Sequence, residues 1–282
     1  MAMLVKVLGP AGTFGHEAAI AAREMLQDNY GDMRIDFVRD NAEVLLHAAY
    51  HRCIGFVPIY NKDAKLVEGV VRFWLKEHRG FKSHLIGVKK LRVRHHLWTH
   101  PSITRPKRQI RGVMSHRHAL LQTKDVADDL RLRRLKETTS TAEAARLVAK
   151  ERRWRSAAAV ASELAGTIYG LKLWRANVED SPDNFTLFHV FGPDPTQPTK
   201  KDRSDVIVIS QEPRTRLGRD LDAMRLEYPQ MLGVRQIFND DSPVAAYYCR
   251  FDAHRHTDVG RQILQDMKKR GETLVLGSYP IE

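Results

Sequence analysis

Short apolar runs that stop on small polar residues and then lead into helix-forming segments constrain this 282-residue chain more than any other feature. VKVLG runs into PAGTFG, and His16 to Leu26 follows with the Ala and Glu of a helix. CIGFVPIY reads as a second buried strand, with a helix over Val67 to Lys76 after it, and SHLIGVKKLRVRHHLWTH as two strands joined by a turn. RGVMSH is a strand with a polar tip before a helix over His118 to Leu130. LKETTST is another, whose Ser and Thr cap a helix over Ala142 to Lys150. SAAAVASELAGTIYGL is Ala-rich and predicts a helix closed at Gly170, and FTLFHVFG predicts one more strand. Strand and helix alternating in this way predicts an α/β fold.

In open α/β sheets ligands sit beyond the carboxyl ends of strands, so the polar tips are the first place to look for function. Four stand out: Gly12-Thr13-Phe14, Tyr60-Asn61-Lys62, Ser115-His116 and Ser140-Thr141. Singly they say little. GPAGTFG lacks the GK[ST] of a phosphate loop, and Ser140-Thr141 is explained by helix capping alone. Together they are ordered along the chain as one cleft requires.

After Gly192 the character changes. PDPTQPTKKDRS is Pro-rich, polar and without period, which makes 193–203 a linker. Residues 204–282 then read strand, helix over Arg216 to Tyr228, strand, strand, helix over Asp258 to Arg270, strand, the order of a small ferredoxin-like α+β module.

The net charge of +12 raises the question of nucleic acid. The densest basic stretches are 89–96 and 105–108, and no groove-reading motif accompanies either, so no specific nucleic-acid partner is expected and the basic face suits an anionic metabolite better. The apolar residues before Gly9-Pro10 are too few for a signal sequence and no stretch approaches a membrane span, so a cytoplasmic location without membrane association is expected. Cys53 and Cys249 have no metal spacing and read as buried thiols; neither a metal nor a cofactor is expected.

LGPAGTFGHEAAI, FVPIYN, VMSHRHALLQ, STAEAA, ASELAGTIYGL and EDSPDNFTLF, followed by a terminal module ending LGSYP, resemble the prephenate dehydratase family with its C-terminal ACT domain, in collinear order over nearly the whole chain. The resemblance implies a catalytic domain over 1–192 built from two lobes of periplasmic-binding-protein type, one about 1–80 with 178–192 and the other about 81–177. It implies an ACT-like domain over 204–282, a homodimer formed through it, and prephenate as substrate. Thr186 and His116 are the implied catalytic residues. Substrate contacts are implied for Gly12, Thr13, Phe14, Tyr60, Asn61, Lys62, Ser115, Gln122, Ser140, Thr141, Leu187 and Phe188.

The chain departs from the family at the tips. Thr-Arg-Phe becomes Thr186-Leu187-Phe188, and Pro-Ile-Glu-Asn-Ser becomes Pro58-Ile59-Tyr60-Asn61-Lys62. Gly-Thr-Phe-Ser becomes Gly12-Thr13-Phe14-Gly15, and Ser-His-Pro-Gln becomes Ser115-His116-Arg117-His118. Dehydration of prephenate expels carbon dioxide and the para hydroxyl together and needs an acid near that oxygen. An apolar wall at Leu187 that leaves the carboxylate poorly paired would favour decarboxylation alone. These departures resemble the non-aromatising prephenate decarboxylases of natural-product pathways. That reading ranks first on sequence, with the dehydratase second and a catalytically silent binding or regulatory homologue third. Lys62 is the replacement cation expected in the cleft, and His118 is expected on the surface. The amino-acid contact motifs of phenylalanine-regulated ACT domains are degraded at 217–221 and 239–243, so the module is expected to serve dimerisation rather than sensing.

Overall fold

In the computed structural model, which describes residues 2–77, 81–210, 214–237 and 245–281, the first apolar run becomes strand β1 (Met3–Leu8). Val5 and Val7 are buried on it, and Lys6 between them reaches Asp36 at 2.6 Å on the parallel neighbour β2 (Met33–Val38). The helix expected over His16 to Leu26 comes as two, α1 (Phe14–Ala21) and α2 (Arg23–Tyr30), because Ala22 leaves helical geometry at φ −93° and ψ 2°. Helix α3 (Asn41–Tyr50) leads to β3 (Ile54–Asn61), then come the short β4 (Lys65–Leu66), α4 (Glu68–Glu77) and β5 (His84–Arg92).

By contact the chain divides into two units, one of Met1–Val44, Phe56–Lys65 and Lys89–Phe188, the other of Leu45–Gly55, Leu66–Val88 and His189–Glu282. The first holds strands in the order β11-β3-β1-β2, with β11 (Phe185–Gly192) entering by its first residues, and a second sheet in the order β10-β6-β9-β7-β8. The strands of that second sheet are β6 (His96–Thr99), β7 (Gly112–Ser115), β8 (Arg133–Glu137), β9 (Ala157–Ala161) and β10 (Lys172–Arg175). Strand β7 runs parallel to β8 and β9, while β6 is antiparallel to β9. The helices of this region are α5 (Pro106–Gln109), α6 (Arg117–Leu121), α7 (Lys124–Asp129), α8 (Thr141–Lys150) and α9 (Glu163–Ile168).

Two helices expected from the sequence are corrected here. The Ala-rich run is strand β9 followed by α9. All of Ala157 to Ala161 is buried between β6 and β7, with Ala157, Ala159 and Ala161 in one core cluster and Ala158 and Val160 in another. Burial on both faces of a central strand outweighs alanine's helix preference, which amounts to only about 0.7 kcal/mol per residue over ordinary residues. Helix α9 also packs tightly on β6: a Cβ on Gly166 would lie 2.2 Å from the Trp98 ring. The helix expected over His118 to Leu130 is likewise two. It breaks after Leu121, where Gln122 closes α6 and the Thr123 hydroxyl donates to the Ala119 carbonyl at 2.9 Å.

The second unit contains a βαββαβ segment: β12 (Asp202–Ser210), α10 (Arg214–Glu227), β13 (Met231–Gln236), β14 (Ala245–Phe251), α11 (Asp258–Lys268) and β15 (Glu272–Pro280). Its strands are antiparallel in the order β13-β14-β12-β15, the ferredoxin-like arrangement. Its core packs Val206, Val208, Leu221, Phe251, Ile263 and Met267. Beneath it lies a buried polar network. The Asp205 carboxylate takes Arg250 Nε at 2.6 Å and Nη2 at 2.8 Å, His189 Nε2 at 2.9 Å, and the hydroxyls of Tyr248 and Tyr279. Both cysteines are buried and outside any disulfide. Among the described residues no helix is long and apolar enough to cross a membrane.

Candidate active site

The first tip is a built loop. Thr13 caps α1 by accepting from His16 N at 3.2 Å and donates its own proton to the Leu8 carbonyl at 2.7 Å, so both functions of its hydroxyl are used internally. Gly12 has φ +91°, and a Cβ there would meet Ala165 Cα at 2.7 Å, so only glycine fits beneath α9. Ser162 and Tyr169 fasten this loop by donating to the carbonyls of Gly12 at 3.0 Å and Ala11 at 2.9 Å. Phe14 stands edge-on to the His95 ring with centroids 5.5 Å apart.

The tip of β3 meets the start of β11. Asn61 Oδ1 accepts the backbone N–H groups of Asp63 at 3.1 Å and Ala64 at 2.9 Å, a side-chain-closed turn. Its Nδ2 thereby faces β11, where it reaches Thr186 Oγ1 at 3.0 Å, Asn184 Oδ1 at 3.0 Å and the Phe185 carbonyl at 3.1 Å. Gln122, freed from helix by the break after α6, donates to Asn61 Oδ1 at 3.4 Å and faces His95 Nε2 at 3.2 Å. Thr186 is 8% exposed. Asn61, Gln122 and Thr186, named separately from the sequence, are therefore one hydrogen-bonded group.

The other expected residues are placed differently. Strand periodicity puts Thr186 and Phe188 on one face of β11 and Leu187 on the opposite face, with His189. Lys62 is half-exposed and lies 3.6 Å from Asp183, an ion pair at the surface. The Tyr60 ring packs near Phe185, centroids 6.2 Å apart. Ser115 is fully buried and spends its proton on the Val160 carbonyl at 2.6 Å. Ser140 caps α8 through Glu143 N at 3.0 Å, with Thr141 buried behind it. His116 caps α6, its Nδ1 accepting from His118 N at 3.3 Å; burial first, then His118, pushes its pKa down. His118 itself is exposed, as expected from the sequence.

Sequence reasoning missed His95, Glu179, Asn184 and Glu17. His95 is 2% exposed and tied by its backbone to Glu179 Oε2 at 2.9 Å and to Val178 N at 2.8 Å. Burial lowers its pKa, opposed by Gln122 and Glu179. On α1, Glu17 has a buried Oε2 without a hydrogen-bond partner among the described residues; burial and then Glu163 push its carboxyl up, against Arg94. The available signal was the pair of histidines in RVRHHLW, where the basic stretch gives way to an apolar strand. Among the described residues no group of His, Cys, Asp and Glu side chains is arranged to hold a metal.

The family model described as prephenate dehydratase matches residues 5–196. The bifunctional chorismate mutase/prephenate dehydratase of Aquifex aeolicus is 28% identical over 284 residues, covering 98% of this chain and 73% of that protein. The prephenate dehydratase of Arthrobacter aurescens, solved in complex with L-Phe, superposes with a TM-score of 0.79 at 19% identity, covering 99% of this chain and 90% of the other. GqqA, described as a novel type of quorum-quenching acylase, superposes with a TM-score of 0.78, also at 19% identity, covering 99% and 98%. At such identities these structures speak to the fold, which is mixed α/β as expected.

Proposed function

Since this chain belongs to the prephenate dehydratase family, we propose that it converts prephenate to phenylpyruvate. The ring carboxylate leaves as carbon dioxide, its bonding electrons enter the ring, and the para hydroxyl departs with a proton as water. The observation that carries this reading is the state of Thr186: its oxygen accepts from Asn61 Nδ2, and no acceptor among the described residues takes its own proton. A hydroxyl so placed donates to the oxygen that leaves. This reverses the ranking made from sequence, because the family match and the Aquifex relative both support the dehydratase.

The non-aromatising decarboxylase is the second reading, favoured by Tyr60, Lys62 and Leu187 standing where the family has Glu, Ser and Arg. Incubating the purified protein with prephenate and following ultraviolet and NMR spectra separates the two. Phenylpyruvate is expected; a non-aromatic hydroxylated pyruvate with carbon dioxide would establish the decarboxylase. Leu187→Arg adds a guanidinium on the face of β11 away from Thr186, and under the dehydratase reading it leaves phenylpyruvate as the sole product. A product ratio that shifts from non-aromatic to aromatic in this variant would instead support the second reading.

The domain reading is also a proposal: a two-lobed catalytic domain over 1–192, a linker over 193–203 and an ACT-like domain over 204–282 that mediates a homodimer. It is supported by the ferredoxin-like strand order. Of the two altered contact segments, 217–221 lies on α10, while 239–243 falls outside the described residues. Gly218 on α10 is held close to Tyr247, whose hydroxyl would lie 2.6 Å from an added Cβ. Phenylalanine is expected not to bind here. A ligand that binds only the folded form raises the Tm by mass action, so a clear thermal shift with sub-millimolar phenylalanine would overturn this expectation.

A further inference from the structure

His95 begins a run of side-chain hydrogen bonds whose donors all point the same way. The direction is fixed at its far end. Two backbone N–H groups, of Asp63 and Ala64, and the Phe185 carbonyl leave Asn61 one amide orientation, with Oδ1 on the turn and Nδ2 on Thr186. Against Asn61 Oδ1 only the nitrogen of Gln122 can sit favourably, so Gln122 Oε1 must face His95. An amide oxygen only accepts, and His95 Nε2 is therefore the protonated nitrogen. The order of donation is His95 to Gln122 to Asn61 to Thr186.

We propose that His95 is a positioning residue: its Nε2–H locks Gln122, and through Gln122 and Asn61 it holds Thr186 as an acceptor, so that the Thr186 proton is presented to the substrate. The identity of that substrate rests on the prephenate reading above; the direction of the hydrogen bonds does not. Each member polarises the next, which strengthens the final donor inside a low-dielectric site. The imidazole is well fixed for this task. Its backbone is clipped on both sides by the 178–179 segment, its ring stands edge-on to Phe14, and it is almost fully buried. Its other nitrogen, Nδ1, is buried with no partner among the described residues, as a lone pair on the neutral Nε2–H tautomer would be. The lowered pKa agrees with a neutral ring at neutral pH.

Three substitutions test this, each checked for folding by circular dichroism and Tm. His95→Phe keeps a ring and removes both nitrogens. His95→Gln places an amide nitrogen near Nε2, and His95→Asn places one near Nδ1. Supporting partners behind a site are commonly worth about 10–100-fold, so His95→Phe and His95→Asn should lower kcat for prephenate by about that factor while KM stays nearly constant, and His95→Gln should recover most of the loss. Equal activity in the Phe and Gln variants, or a rise in KM with kcat unchanged, would overturn the proposal. Nitrogen-15 NMR of the wild-type imidazole gives a readout that needs no turnover: the Nε2–H tautomer is expected at neutral pH, and an Nδ1–H tautomer or an imidazolium would overturn the direction of the relay. A wild-type protein with the expected tautomer but no action on prephenate would sink the functional reading alone.

Discussion

Arg250→Met lowers the stability of the folded chain by about 3–5 kcal/mol, the cost of leaving a buried charge without its partner. Asp205 is fully buried, and its ion pair with Arg250 is the only full counter-charge among the groups described around it. Burial alone pushes the Asp205 carboxyl up, but Arg250, with help from His189, more than offsets this and holds it well below the carboxylate range. His189 is held below the usual histidine range by burial, against the pull of Asp205. A charged imidazole would also leave its buried Nδ1–H unpaired. Both native pKa values are depressed, so both groups add stability above their unfolded values of 3.8 and 6.5, and this is lost as pH falls. Wild-type stability should therefore decline below about pH 6.5 and more steeply below about pH 4. In Arg250→Met the sign at Asp205 reverses: burial outweighs what His189 still supplies, the native carboxyl holds its proton longer than the unfolded one, and the deficit relative to wild type shrinks as pH approaches 4 from above. Denaturant midpoints across pH, with hydrogen exchange at the amides of β12 and β14, measure this. A deficit independent of pH would mean that lost packing, not charge, sets the cost. The companion change Asp205→Leu with Arg250→Met removes both charges and should cost less than Arg250→Met alone.

The fold was legible wherever periodicity and caps agreed. Ser140 caps α8 as expected, and α11 starts at Asp258, the first residue of the helix expected there. Residues 157–161 defeated the reading because alanine carries no strand signal of its own; only its position between β6 and β7 makes it a strand. Gln122 was assigned through resemblance, yet what makes it available is local: the Thr123 hydroxyl bonding back to Ala119 and the end of α6. The site was legible one residue at a time and not as a network. Asn61 and Thr186 are 125 positions apart, and nothing in either tip announces that they share a hydrogen bond. His95 was missed for the complementary reason, since a histidine inside a basic stretch reads as surface until the chain folds around it.

Thr186→Val should cost roughly 10²-fold or more in kcat, the usual scale for removing one donor used in the transition state. Valine keeps the shape of threonine on β11, so Phe188 on the same face stays packed and the fold should be retained. What is lost is the oxygen that receives the Asn61 Nδ2–H and the proton that nothing else among the described residues accepts. Asn61 keeps two other acceptors, Asn184 Oδ1 and the Phe185 carbonyl, so no buried amide is left unpaired and the effect should fall on rate more than on Tm. Thr186→Ser restores the hydroxyl without the methyl and should recover most of the activity. If the proton goes to the departing hydroxyl, the loss appears in kcat and kcat/KM together, because the contact forms only as that oxygen gains charge. If Thr186 only anchors the substrate, KM rises and kcat holds. A Val variant with wild-type kinetics would place the proton source elsewhere, and Glu17 is then the first residue to examine: its carboxyl is pushed up by burial and Glu163, so it keeps its proton to higher pH than an exposed glutamate. The test for that alternative is the pH profile of kcat, whose alkaline limb should disappear in Glu17→Gln if Glu17 supplies the proton and persist if it does not.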